Sequence, residues 1–169
     1  MEWLQRRDMI VNVPFSLRDP KQEAGILGPF VNLLPIRAQV KADSSWSSIS
    51  DALRTNLFEA IEYSEIPLSL AMDESDSMMA GIVCQLIYKP RESLQIPGLE
   101  VQRSVIDGHN AALGLVFSFF LDDRELTCEI TRNTALVSGT EVEKIIERFP
   151  TTVSRMCNMP SAVVFEEEE

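Results

Sequence analysis

Trp46, Ile49, Leu53, Leu57 and Ile61 recur at spacings of three and four, which winds them onto one stripe of a helix with a period near 3.6. Ser44 or Ser45 can cap its start by accepting from free backbone N–H groups. A helix that is apolar along one side has to lay that side on another layer. The sequence around it is strand-like, which makes that layer a sheet. Before the helix come Met9 to Phe15 and Val31 to Val40, the second interrupted by Pro35, a residue of edges and bulges. Pro67 closes the helical region or begins a shorter helix, Leu68 to Met72, and Asp73 to Ser77 reads as polar loop. Ile82 to Tyr88 is a strand candidate. Pro97-Gly98 is a turn, with Leu99 to Ile106 as a further strand. Leu115, Phe117, Phe119 and Leu121 alternate onto one face and, with Leu126 to Thr131, predict a hairpin around residues 122–125. Ser138 and Glu141 form a Ser-x-x-Glu box that opens a second helix through Val142, Ile145, Ile146 and Phe149. Pro150 is expected to kink or interrupt it. The order predicts an α/β (α+β) fold, a mixed sheet covered by helices. There is no internal repeat or low-complexity linker, so residues 1–160 are expected to form one domain and 161–169 an acidic tail.

Charge narrows the function classes. The chain has 15 Lys+Arg against 26 Asp+Glu, a net charge of −11, which opposes binding to phosphate backbones. Nucleic acid is not an expected partner. The longest apolar run, residues 111–121, falls well short of the ~20 residues that span a bilayer. No basic-then-apolar leader opens the sequence. Cys84, Cys128 and Cys157 are unevenly spaced and suggest neither a disulfide framework nor a metal cluster. The expectation is a reduced, cytoplasmic chain with no membrane partner and no metal.

The chemistry-bearing residues form no complete catalytic set. The single histidine, His109, lies in Asp107-Gly-His-Asn110, a turn-forming context that makes it a loop residue before a general base. Cys84 and Cys128 sit in strand segments among apolar neighbours, where thiols are usually inert packing. There is no Gly-x-Ser-x-Gly elbow. Gly25-Ile-Leu-Gly28 lacks the glycine spacing of a phosphate loop, and Pro29 removes an N–H a phosphate would use. Asp122-Asp123 reads as a solvated hairpin tip. No catalytic residue is assigned.

One stretch is more specific. Ile26-Leu-Gly-Pro-Phe-Val-Asn-Leu-Leu-Pro-Ile-Arg37 resembles a signature of the condensation domains of nonribosomal peptide synthetases, hydrophobic-Gly-x-Phe-Val-Asn-Thr-x-x-x-Arg. Gly28, Phe30, Val31, Asn32 and Arg37 match, and Leu33 replaces the usual Thr. Val13-Pro-Phe-Ser-Leu-Arg18 resembles the family's Val-Pro-x-x-Gly-Arg, with Leu17 where Gly is usual. Tyr63-Ser-Glu-Ile-Pro-Leu68 resembles His-Gln-Asp-Val-Pro-Phe, sharing Pro67. Asn133-Thr-Ala-Leu136 resembles Tyr-Asn-Thr-Asp-Leu-Phe. These landmarks follow the family's order from about residue 9 to about residue 150. Between Asp73 and Gln85 the chain departs from the expected Arg-Asp-x-Ser-x-x-Pro-Leu-x-Gln and keeps little beyond Gln85.

The resemblance implies the C-terminal lobe of a chloramphenicol-acetyltransferase-like pair, in which two α/β lobes flank a tunnel. The family's His-His-x-x-x-Asp-Gly motif belongs to the other lobe, and Asp107-Gly-His109 has the wrong order to replace it. By resemblance Arg18 matches an arginine that pairs with the motif aspartate across the lobes. Asn32 and Arg37 are expected to organise turn and strand, Phe30 to lie in the core, and Gln85 to line the tunnel. The implied parent forms amide bonds between carrier-protein-tethered acyl and aminoacyl groups. It binds no cofactor directly and takes phosphopantetheine arms as substrates. Implied partners are the N-terminal lobe and carrier proteins, and self-association is expected from apolar surface left bare where the other lobe would sit. A stand-alone or degenerate half-domain serving as an interaction or scaffolding module in secondary-metabolite biosynthesis is the alternative.

Overall fold

Alternation and proline placement explain most of the sheet. The computed structural model describes residues 7–71, 81–88, 96–101, 114–122 and 125–165. Its elements are β1 (Asp8–Ser16), β2 (Val31–Gln39), α1 (Trp46–Glu62), α2 (Leu68–Ala71), β3 (Ile82–Tyr88), β4 (Leu115–Leu121), β5 (Leu126–Arg132) and α3 (Gly139–Asn158). The strands form one mixed sheet in the order β2-β1-β3-β4-β5. β1/β2 and β4/β5 are antiparallel, while β1/β3 and β3/β4 are parallel.

The bonds from Val40 N–H to Arg7 O and from Leu17 N–H to Phe30 O fix which backbone groups of the first pair face each other. Odd residues of β1 and even residues of β2 bond across the pair. Pro35 therefore lies where its missing N–H points off the sheet edge, the position a strand tolerates. Pro14 lies in the row that faces β3, where it can donate nothing. The β1/β3 register shrinks accordingly to Asn12↔Val83 alone.

Side chains alternate between two faces. One face carries Leu34 and Ile36, buried beside α1, and Leu115, which packs with Val137 and Ile145 of the α3 region. Phe117, Ile130 and Val142 surround that second cluster. Phe119 stacks on Phe149 with centroids 5.7 Å apart. The opposite face carries Asn12, Val83, Gln85 and Ser118. Buried Asn12 donates through Nδ2 to Ile82 O at 3.3 Å.

α1 starts as its sequence predicts, at Ser45, whose Oγ accepts from Ser48 N–H. The free donors of its first turn are met by distant carbonyls: Trp46 N–H bonds Ala162 O at 3.3 Å and Ser47 N–H bonds Pro160 O at 2.8 Å. Residues 161–165, which the sequence suggests are part of the tail, thus return to the head of α1. Val164 N–H bonds Ser44 O, and Arg7 lies 5.3 Å over the Phe165 ring.

Three expectations are corrected or narrowed. Of the two outcomes expected at Pro150, interruption does not occur, since α3 runs from Gly139 to Asn158. The carbonyl that loses its donor belongs to Ile146, a residue 54% exposed, so water can replace the bond. Leu99–Val101 is no strand but follows a tight turn closed by Leu99 N–H to Ile96 O, with Gly98 at φ 81°. The rest of that expected strand, residues 102–106, and His109 lie outside the described residues. Phe30 is half-buried rather than core, because its ring is a platform for Arg18.

Candidate functional site

Arg18 follows β1 and gathers the loop that leads to β2. Its Nη1 donates to Glu23 O at 2.6 Å and Ile26 O at 2.8 Å, and its Nη2 donates to Gly28 O at 3.0 Å. The guanidinium lies 4.1 Å from the Phe30 ring centroid, a cation–π contact. Three of the five donors of the side chain are thus spent on backbone. At the same end of the loop, Glu23 accepts from Asp19 N–H at 2.8 Å, and Asp19 accepts from Lys21 N–H at 2.8 Å.

Asn32, at the start of β2, is a stitch between the strand and the segment after α1. Its Nδ2 donates to Ser64 O at 2.7 Å and Ile66 O at 2.6 Å, and its Oδ1 accepts from Leu33 N–H and Leu68 N–H. These partners use the amide fully, so Asn32 positions backbone. Pro67 lies inside the segment it holds, which gives that matched proline a local purpose.

Arg37 projects from the opposite face of β2. Its Nε and Nη2 grip Asp8 at 2.9 and 2.6 Å, and Gln39 adds a bond to the same carboxylate. Those hydrogen bonds, the Arg37 bond first, hold the Asp8 carboxyl down to about 2. Both partners are solvent-exposed, so the pair registers strand ends and contributes little stability.

Gln85 shares that second face. Its Nε2 donates to Ser118 Oγ at 2.8 Å. The registers Gln85↔Ser118 and Ser118↔Glu129 align the three residues straight across β3, β4 and β5. Sequence reasoning singles out Gln85 and misses Ser118 and Glu129. A hydroxyl interrupting the apolar run of β4 is the available signal for Ser118. Arg18 and Asn32 flank one loop region, whereas Arg37 and Gln85 lie on the far face and on strands separated by β1. The four do not converge on one point.

Cys84 and Cys128 are not set up as nucleophiles. Burial, then the neighbouring Cys128, pushes Cys84 up, and burial with Glu129 pushes Cys128 up, which lowers the thiolate fraction. Among the described residues no group of His, Cys, Asp and Glu is placed to hold a metal. No described helix is long and apolar enough to cross a membrane. The arrangement is one of positioning: side chains that fix backbone, and a polar row across a sheet face.

Comparison with known proteins gives this geometry a context. The family model described as "Condensation domain" matches residues 1–168. Tyrocidine synthase 3 of Brevibacillus parabrevis is 23% identical over 164 residues, covering 92% of this chain and 2% of that much longer protein. The starter condensation domain of rhizomide synthetase superposes with a TM-score of 0.77 at 14% identity, covering 99% of this chain and 42% of that one. The first condensation domain of the CDA synthetase gives 0.71 at 17% identity, covering 95% and 37%. The matched fold is larger than the chain, and a mixed sheet covered by helices is the part they share. By sequence and by fold, the chain belongs to the condensation-domain family and corresponds to one lobe of that domain.

Proposed function

We propose that the chain is the C-terminal lobe of a condensation domain. In this reading its parent joins a carrier-tethered acyl group to a carrier-tethered amine as an amide, and this lobe supplies a tunnel wall and a lobe interface. The observation that carries the reading is the Arg18 hub. Its side chain holds the start of the stretch that resembles the family signature, at Gly28 O and the Phe30 ring. Of the guanidinium donors, Nε–H and one Nη2–H remain after the three carbonyl bonds. Two such donors are the number a carboxylate takes when it is bound bidentately. That pair suits the motif aspartate of the N-terminal lobe, so Arg18 can shape its own loop and still fasten a neighbour. Exposed apolar surface on the sheet supports the reading, since Leu86 is 67% exposed and exposed apolar area can serve as an interaction site.

No complete proton-handling set is assembled among the described residues, and the lobe alone is expected to be inactive. The test mixes it with a separately expressed N-terminal lobe bearing His-His-x-x-x-Asp-Gly and with loaded acyl and aminoacyl carrier proteins. Amide product is expected only when both lobes are present, and Arg18→Ala should weaken lobe association. Turnover by this chain alone, abolished by His109→Ala, would overturn the proposal. Failure to bind any such lobe, with carrier binding retained, would favour the interaction-module alternative.

A further inference from the structure

The two edges of the sheet differ. On β2 the outward row of backbone groups belongs to the odd residues, and Pro35 removes the donor at its centre. A proline there stops another strand from adding. On β5 the parity is set by Asp122 N–H to Glu125 O and Asn133 N–H to Gly114 O. Odd residues bond β4, so Leu126, Cys128, Ile130 and Arg132 direct their N–H and C=O groups outward. This edge has no proline, and its register with β4 is unbroken by a bulge. Every residue of it except Ile130 and Arg132 is exposed. A row without proline or bulge is a template for a further strand.

We propose that β5 pairs antiparallel with β5 of a second copy, about a two-fold axis at Cys128. Outward residues must face outward residues, which leaves few registers. An axis at Glu129 sets that carboxylate against its own copy, and an axis at Thr127 sets Glu125 against Glu129. An axis at Ile130 leaves Leu126, 57% exposed, beyond the end of the opposing strand. The Cys128 axis places Leu126 opposite Ile130 and Thr127 opposite Glu129, each twice. Apolar pairs then share the helix-bearing face, and hydroxyl–carboxylate pairs share the other. Edge pairing alone buries less than the ~1,200 Å² of a standard interface, so the dimer is weak and concentration-dependent. Two chains of net charge −11 repel, so added salt strengthens it. The inference does not rest on the condensation-lobe reading.

The experiment is sedimentation of the full chain over a range of concentration and salt, with cross-linking by a short bis-maleimide. A dimer that grows with concentration and salt is expected. Its cross-link should persist in Cys84→Ser and Cys157→Ser and vanish in Cys128→Ser. Thr127 is exposed, so changing it leaves the fold alone. Thr127→Glu should weaken the dimer about tenfold by opposing Glu129, and Thr127→Lys should tighten it. A monomer at every concentration overturns the proposal. So does a cross-link that survives Cys128→Ser, or equal dimer affinity in the two Thr127 variants.

Discussion

Removing the Asn32 amide tests whether the signature stretch is structural. Three of its four hydrogen bonds reach Ser64, Ile66 and Leu68, 32, 34 and 36 residues away, so they join β2 to the segment following α1. Each such bond contributes about 0.5–1.5 kcal/mol net, and a buried group left unpaired costs more than an exposed one. Ser64 is only 8% exposed, whereas water can reach the carbonyl of exposed Ile66. Asn32→Ala should therefore cost about 2–4 kcal/mol in urea unfolding, or about 5–15 °C in Tm for a chain of this size. Asn32→Asp discriminates further. It keeps the acceptor for Leu68 N–H but aims a carboxylate at the Ser64 and Ile66 carbonyls, which have no proton to share. At neutral pH it should be no more stable than Asn32→Ala. Acidification should restore part of the loss, since the protonated acid regains one donor. Its folded-state pKa is raised, so the penalty is present above that value and relieved below it. An Asn32→Ala Tm within about 1 °C of the parent, or an Asn32→Asp variant more stable than Asn32→Ala at neutral pH, would refute the reasoning.

Two further outcomes follow from close geometry. A Cβ on Gly114 would sit 2.8 Å from Gly81 O, a backbone atom at the mouth of the β3/β4 pair. Gly114→Ala should destabilise by about 1–3 kcal/mol in chemical denaturation, while Gly25→Ala, with nothing within 4 Å, should be silent by comparison. The Asp8 carboxyl, held near 2 by Arg37 and Gln39, should titrate closer to its ordinary 3.8 in Arg37→Ala when followed by NMR. Because the folded value is depressed, the contribution of the pair is complete above the unfolded value and is lost as pH falls toward 2. Neutral-pH Tm should barely move, as the pair is exposed.

Features written in local periodicity are legible in the sequence itself. The stripe from Trp46 to Ile61 becomes α1, with every stripe residue half-buried toward the sheet. The alternation of Leu115, Phe117 and Phe119 becomes β4 of the predicted hairpin, since tight antiparallel pairing needs no distant partner. Strand order is not legible. β1 reaches β3 in parallel across β2 and two helices, and such pairing leaves no short-range mark. The interruption expected at Pro150 fails for a related reason. The rule counts one lost bond and a steric clash, while Phe149 beside it gains a stacking partner on a neighbouring layer, Phe119, which no local pattern records.

Arg18 shows how a residue matched by resemblance can carry a task that the match does not name. The resemblance supplies a partner across the lobes. The structure supplies the nearer task, holding the carbonyls of Glu23, Ile26 and Gly28. Carbonyl oxygens carry no side-chain identity, so no pattern of residue types could point to them. The two tasks are compatible because a guanidinium is planar and many-donored. Lysine, a single point of charge without a rigid fork, could not span three diverging carbonyls and keep an edge for a carboxylate. The loop geometry thus requires arginine at this position whether or not a second lobe is engaged.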